Sequence, residues 1–496
     1  AQVAAGLQRL GVQKGDRVGL FLPNVPQYVA AYYGALIAGA TVVNFSPLYT
    51  VDELAAQVED SGTRLLFTLS ASALLPTALA VLDRSSLTQL VVGSVAEVLP
   101  PVKSLLFTLF KRNERTAIPD DPRIIRYAAL CQGGGAPAPV AIDAEADVAL
   151  IQYTGGTTGT PKGAMLTHQN LTANARQVNA VDPDHAAEDR ILGVLPMFHV
   201  FANTCVLNRT VLNGGTMVLL PRFDAGQALA ALSRTRATAL PGVPTMYQAL
   251  LDHPTIAATD FSSLRVCISG GAPMPAELRA DFVARSGAAL VEGYGLTESA
   301  GVVSTNPYEG PVKAGTIGQP LPRTEVKLVD KGDASRPAPA GEPGELVVRG
   351  PQIMRGYWNR PDADGDSFTA DGWLRTGDVA VIDDDGYIRI VDRIKDMIAV
   401  GGFKVYPSEI ERVLYTHPAV KEALVLGTPD ARLGEVPMAY VTLEPDSARV
   451  DGPTLAAWLN PQIGKHERVA GVVVRETLPK TMIGKLDRKA LRAEVG

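Results

Sequence analysis

Ala149-Leu-Ile-Gln-Tyr-Thr-Gly-Gly-Thr-Thr-Gly-Thr-Pro-Lys-Gly-Ala-Met-Leu166 sets a run of glycines, threonines and one lysine between two apolar stretches. Glycines let a backbone approach phosphate oxygens closely, and threonine hydroxyls and amide N–H groups donate hydrogen bonds to them. Lys162 adds a point charge. The stretch reads as a loop that holds a polyphosphate. Spacing excludes a Walker-type loop, which needs glycine directly before its lysine and Ser or Thr directly after. Pro161 and Gly163 stand there instead. A Walker loop also opens straight into a helix, whereas 164–166 reads as a short strand and the helical pattern starts at Thr167 and His168. The strand-like flanks and the Pro-Lys pair also argue against a flexible linker.

Outward from this loop, short apolar runs alternate with amphipathic helices. Segments 17–23, 41–45, 64–69, 191–196, 216–220 and 265–269 read as buried strands. Thr50 and Glu53 form the capping box of a helix between the second and third of these. Such alternation predicts an α/β fold with parallel-rich sheets. Past Gly315 the texture turns to Gly/Pro-punctuated strands, including 344–350 and a hairpin turning at Asp385-Gly386. From about Arg393 a smaller α+β unit begins. The expected organisation is a large domain over 1–392 followed by a smaller C-terminal domain over 397–496. The segment 133–139 reads as a loop.

The 496 residues, 46% of them hydrophobic and 20% charged, fit a globular protein of more than one domain. A net charge of -6 argues against a nucleic-acid partner, which needs a basic surface. Cys131, Cys205 and Cys267 are scattered, giving neither a disulfide framework nor a zinc site, and fit a reducing, cytoplasmic setting. The sequons at Asn170 and Asn208 read as chance. No apolar stretch reaches bilayer-spanning length, and the opening residues do not read as a signal peptide. The chain starts at Ala1 inside a helical pattern of Val3, Leu7 and Leu10, so a preceding segment is expected. In 99–112, Val102, Leu105, Leu106, Leu109 and Phe110 share one helical face, with Lys103, Ser104, Thr108, Lys111 and Arg112 opposite. This helix either packs on its own domain or lies peripherally on the inner face of a membrane.

Further motifs join the phosphate loop: Ser269-Gly-Gly-Ala-Pro273, Glu292-Gly-Tyr-Gly-Leu-Thr-Glu298, Arg375-Thr-Gly-Asp378, Asp392-Arg-Ile-Lys-Asp396 and Pro479-Lys-Thr-Met-Ile-Gly-Lys485. Singly each could be a turn. Together, in this order and over essentially the whole chain, they resemble the adenylate-forming acyl-CoA synthetase (AMP-binding) superfamily. Within it the chain is most similar to bacterial long-chain fatty-acid–CoA ligases.

The resemblance implies a two-step reaction using ATP, Mg²⁺ and coenzyme A. A carboxylate attacks the α-phosphorus of ATP and releases pyrophosphate; the CoA thiol then displaces AMP from the acyl-adenylate. It implies that Thr154, Gly155, Gly156, Thr157, Thr158, Gly159 and Lys162 hold the triphosphate, and that Thr297 contacts phosphate. Glu298 binds Mg²⁺. Gly270, Gly271, Ala272 and Tyr294 form the nucleotide pocket, while Asp378, with Arg393 nearby, fixes the ribose hydroxyls. Lys485 is the implied catalytic lysine, bridging the substrate carboxylate and the α-phosphate. The resemblance also implies a hinge at 393–396, containing Lys395, about which the C-terminal domain is mobile; Gly401, Gly402 and Phe403 then line the pantetheine approach, although a Gly-Gly pair is equally an ordinary turn. His199 and Gly242 border the acyl substrate, with a core histidine as the other reading of His199. Amino-acid-activating relatives carry an aspartate near His199, and Phe198-His-Val-Phe201 has none. A plain carboxylic acid is therefore expected. The implied partners are a fatty acid and CoA, with a homodimer also in keeping. Aryl or medium-chain acids, or a catalytically silent acyl-adenylate-binding protein, are the alternatives. Intact Lys162, Glu298, Asp378 and Lys485 speak against the silent one.

Overall fold

The computed structural model describes every residue except 100, 155–160, 183, 185–187, 311, 448–449, 482–483 and 496. Gly155, Gly156, Thr157, Thr158 and Gly159 of the predicted phosphate loop therefore lie outside the described residues.

Two twisted α/β sheets form the body. The eight-stranded sheet is parallel from Val148–Tyr153 through Thr41–Asn44, Arg17–Leu20, Leu65–Leu69 and Gln89–Gly93 to Ile124–Arg126. Its other edge is antiparallel, formed by Gly163–Thr167 and the two-residue strand Gly356–Tyr357. Thr41–Asn44 and Leu65–Leu69 are buried at every residue rather than at alternate ones, as expected of strands covered on both faces. The seven-stranded sheet runs parallel through Thr216–Leu219, Arg190–Gly193, Ala239–Gly242, Val266–Gly270 and Ala289–Tyr294. It ends in two antiparallel pieces, Ser304–Thr305 and Gln319–Pro320.

Local signals hold at several element ends. Thr50 and Glu53 close the capping box of Val51–Ser61, and Thr167 caps His168–Ala180. The phosphate loop thus leaves one strand and enters another, as its spacing requires. The motif beginning at Glu292 opens inside a strand: Glu292, Gly293 and Tyr294 belong to Ala289–Tyr294. The strand continues because Gly293 and Tyr294 pair with Thr305 and Ser304 far along the chain.

A four-stranded antiparallel sheet follows, in the order Glu325–Val329, Gly344–Arg349, Leu374–Ile382 and Ile388–Arg393. The last two are the predicted hairpin. The C-terminal part has its own core around Ile398, Val405, Ile410, Val425, Val441 and Leu455. Its sheet is built on the long pair Val420–Asp430 and Gly434–Leu443. Where this part meets the body, Ser408 N donates to Asp392 Oδ2 at 2.7 Å, and Arg389 pairs with Glu409 at 2.7 Å.

The helix Pro101–Phe110 leaves its apolar side chains in solvent. Val102 is 71%, Leu105 59% and Phe110 77% exposed, so packing on its own domain is not what the face does.

Candidate active site

Three groups of predicted residues, carried by the three sheets of the body and the C-terminal turn, lie close together: Lys485 feels Arg393 and Asp378, and Arg393 feels Glu298. The first is built on Asp378, which is 2% exposed on the strand Leu374–Ile382. Arg393 Nε pairs with its Oδ1 at 2.9 Å, and the Tyr294 hydroxyl donates to its Oδ2. Burial, then the neighbouring carboxylate, pushes the Tyr294 phenol well above its ordinary range, so it stays a donor. Asp378 in turn holds the Arg393 guanidinium charged. A carboxylate fixed in this way is an acceptor-only group suited to neighbouring hydroxyls.

The second group sits at the turn after Val266–Gly270. Gly271 has φ +86°, a conformation that favours glycine, and a Cβ there would collide with Lys485 Cε and Nζ. Lys485 is carried in by the C-terminal turn. Gly484 O accepts from Thr245 Oγ1 at 3.0 Å, and Lys485 N donates to Thr481 Oγ1 at 3.2 Å. Burial and then Arg393 push the Lys485 ammonium down to about 8, with Asp378 pulling the other way. His199 lies in the same field: burial and then Lys485 push it down to about 3, so it is neutral at physiological pH. Its Nδ1 accepts from Phe201 N at 3.3 Å, which fixes the proton on the other ring nitrogen. A Cβ on Gly270 would crowd the Phe201 ring, and one on Gly242 the Tyr247 ring. Ala272 follows Gly271 in the same turn.

The third group joins the phosphate loop to Glu298. Thr154 N donates to Lys162 O at 2.9 Å across the base of the loop. The Lys162 ammonium lies 5.1 Å from the Tyr357 ring centroid, and the Tyr357 hydroxyl donates to Glu298 Oε1 at 2.6 Å. Thr297 and Glu298 share the short 3₁₀ turn Thr297–Ser299. No cluster of three His, Cys, Asp or Glu suited to a metal occurs among the described residues. One hard carboxylate oxygen beside a phosphate loop still fits Mg²⁺, which takes one or two carboxylates plus substrate phosphates. The cation would neutralise phosphate oxygens.

The predicted CoA-side positions stand apart from these groups, whereas Lys395 lies beside the first of them. Gly401 and Gly402, with φ +55° and +88°, form the turn between Ile398–Val400 and Phe403–Val405. Gly401 N donates to Leu433 O at 2.8 Å, and the Phe403 ring lies tilted against His466 with centroids 5.2 Å apart, both within the C-terminal part. Lys395 lies in the turn Ile394–Asp396, where burial and then Arg393 lower its pKa.

Sequence reasoning missed two residues. Tyr357 gave no signal, because its two-residue strand has no periodicity. Glu292 accepts from Met274 N at 2.9 Å and so ties the Gly271 turn to the neighbouring strand. Burial pushes its carboxyl up to about 7. Its place at the head of Glu292-Gly-Tyr-Gly was the available hint.

Known proteins match this architecture along its length. The family described as "AMP-binding enzyme" matches residues 1–358, and "AMP-binding enzyme C-terminal domain" matches 409–485. The chain is 40% identical to a long-chain-fatty-acid–CoA ligase of Bacillus subtilis (strain 168), covering 99% of this chain and 88% of that one. It is 39% identical to a feruloyl-CoA synthase of an Amycolatopsis species, covering 100% and 92%. Among solved structures, ATP-bound MatB from Rhodopseudomonas palustris superposes with a TM-score of 0.85 at 30% identity, covering 99% of this chain and 91% of that one. Enzymes of this kind use ATP, Mg²⁺ and CoA. The chain belongs to the AMP-binding enzyme family, and it is an adenylate-forming acid–CoA ligase.

Proposed function

We propose that the protein activates long-chain fatty acids as their CoA thioesters, with Lys485 as the catalytic group of the first step. The observation that carries the mechanism is the placement of Lys485 against the Gly271 turn, with Arg393 and Asp378 close enough to perturb it and His199 close enough to be perturbed by it. Asp378 and Arg393 hold the ribose, Gly270, Gly271, Ala272 and Tyr294 the base, and Thr154, Lys162 and Thr297 the phosphates. Glu298 takes the Mg²⁺. The acid's carboxylate oxygen attacks the α-phosphorus and pyrophosphate leaves. The Lys485 ammonium balances charge that spreads over the carboxylate and α-phosphate as the new bond forms. The C-terminal part then turns at Lys395, withdrawing Lys485 and bringing Gly401, Gly402 and Phe403 to the CoA entrance. The thiolate attacks the acyl carbonyl and AMP departs.

Neutral His199 and the glycine at 242 leave an acyl-side wall without a charged side chain, which suits a hydrocarbon acid. The exposed helix Pro101–Phe110 supports the long-chain reading. It offers Val102, Leu105, Leu106, Leu109 and Phe110 to a bilayer, with Lys103 and Lys111 for anionic headgroups. No helix among the described residues is long and apolar enough to cross a membrane. The feruloyl-CoA synthase likeness favours a second reading, an aryl acid in the same pocket. Mass spectrometry of CoA thioesters, formed from a mixed panel of long-chain, medium-chain and aryl acids with ATP, Mg²⁺ and CoA, separates them. Dominant long-chain acyl-CoA supports the proposal; dominant aryl-CoA overturns it.

A further inference from the structure

Tyr357 belongs to none of the motifs that announce the site, yet it touches two of them. Its strand, Gly356–Tyr357, lies antiparallel to Gly163–Thr167, with Tyr357 opposite Ala164. Trp358 N donates to Gly163 O at 2.8 Å and Arg355 N to Met165 O at 3.0 Å, so the strand is stitched to the residue directly after Lys162. Tyr357 N donates to Asp364 Oδ1 at 2.7 Å. Gly356 sits at φ +144° with Asp364 filling the space a Cβ would need. Trp358 Nε1 donates to Asp60 O at 3.0 Å. The backbone on both sides of Tyr357 is therefore pinned, and the buried side chain has one place to go.

That place is between Lys162 and Glu298. The ring face lies 5.1 Å from the Lys162 ammonium, and the hydroxyl reaches Glu298 Oε1 at 2.6 Å. An ionised carboxylate can only accept, so the phenol is the donor of that bond. A ring in this position attracts the lysine through its quadrupole, and the hydroxyl takes up one carboxylate oxygen while leaving the other for a cation.

We propose that Tyr357 is a positioning residue for the metal and triphosphate half of the site. One side chain sets both the carboxylate that receives Mg²⁺ and the lysine that receives phosphate. The two act as a unit because they share it. This rests on the ligase reading above, in which Glu298 and Lys162 have those roles.

The test is calorimetric binding of ATP to the whole protein over a series of Mg²⁺ concentrations and in EDTA. Thermal unfolding without ligand is followed alongside. Tyr357→Phe keeps the ring and removes the hydroxyl; Tyr357→Leu removes both. Wild-type protein that binds ATP more tightly with Mg²⁺ sustains the ligase reading, and failure of that control would sink the reading itself. Given it, Tyr357→Phe is expected to raise the Mg²⁺ requirement about tenfold, the low end for groups that orient a metal ligand, and to keep metal-free ATP affinity within about twofold. Tyr357→Leu is expected to lose roughly threefold or more in metal-free affinity as well. In a Glu298→Gln background, Tyr357→Phe should add nothing to the Mg²⁺ requirement. A wild-type Mg²⁺ requirement in Tyr357→Phe overturns the proposal. So do additive losses in the double variant, or a weakening that merely follows a drop in thermal stability.

Discussion

On the proposed mechanism a single position, Lys485, sets the chemistry. An exposed lysine titrates near 10.5 and stays charged across any working pH. Here burial, reinforced by Arg393, brings the ammonium down to about 8. The proposed role needs the charged form, which is present below that value and lost above it. The kcat/KM of adenylation, which reports the free enzyme, is therefore expected to fall as pH rises through about 8. Lys485→Arg keeps its charge and should show no such fall up to about pH 10, at a lower plateau. Pyrophosphate release followed from pH 6 to 10 decides this, and a wild-type profile that declines only near 10 contradicts the buried placement. His199, pushed down to about 3, is neutral throughout and contributes no limb. Glu292, pushed up to about 7, loses its proton in the same range. Any inflection it causes near 7 should vanish in Glu292→Gln, which leaves the limb near 8 in place.

Elements that signal themselves locally were legible in the sequence; those built by distant pairing were not. The buried strands around 17–23, 41–45 and 64–69 follow from apolar runs between turn signals, and the helix after Thr50 from its capping box. Lys162, Glu298, Asp378 and Lys485 stood in motifs whose order mattered more than any one of them. The Tyr294–Asp378 bond joins residues 84 positions apart. The strand Gly356–Tyr357 exists only because the edge at Gly163–Thr167 is there to pair with it. The buried charges within the second half of the body were also silent in sequence. Arg209 is fully buried and pairs with Asp182, while Arg265 bonds to both Asp182 and Asp189 at 2.9 Å. Removing one partner of such a set strands the others in a poorly solvating interior. Arg209→Ala should cost about 3–5 kcal/mol in urea unfolding; a loss under about 1 kcal/mol would show the remaining arginine suffices. The helix Pro101–Phe110 makes a different prediction. Leu105→Glu with Phe110→Glu should abolish co-sedimentation with vesicles of phosphatidylglycerol and phosphatidylethanolamine while sparing turnover of a water-soluble acid. Unchanged co-sedimentation would remove this helix from the account.

At the scale of the whole molecule, the C-terminal part matters for where it puts one turn. Its own core and sheet are complete without the body, so its position is set by a few polar contacts. These include Asp392 with Ser408 N, Arg389 with Glu409, and Thr245 with Gly484 O. Such an interface can be exchanged for another at modest cost, as the proposed turn between the two steps would need. Lys395→Pro, which restricts the backbone at the junction, should leave adenylation within about threefold while reducing overall thioester formation at least about tenfold. Equal loss of both would place no hinge there. The division of labour between the two steps is the centre of the account, and Lys485→Ala tests it most directly. Acyl-adenylate formation would be timed from acid and ATP, and thioester formation separately from supplied acyl-adenylate and CoA. The account predicts that adenylation falls by at least about a hundredfold, the loss of one transition-state donor, while thioester formation stays within about threefold of wild type. Adenylation at a near wild-type rate, or an equal fall in both steps, would contradict it.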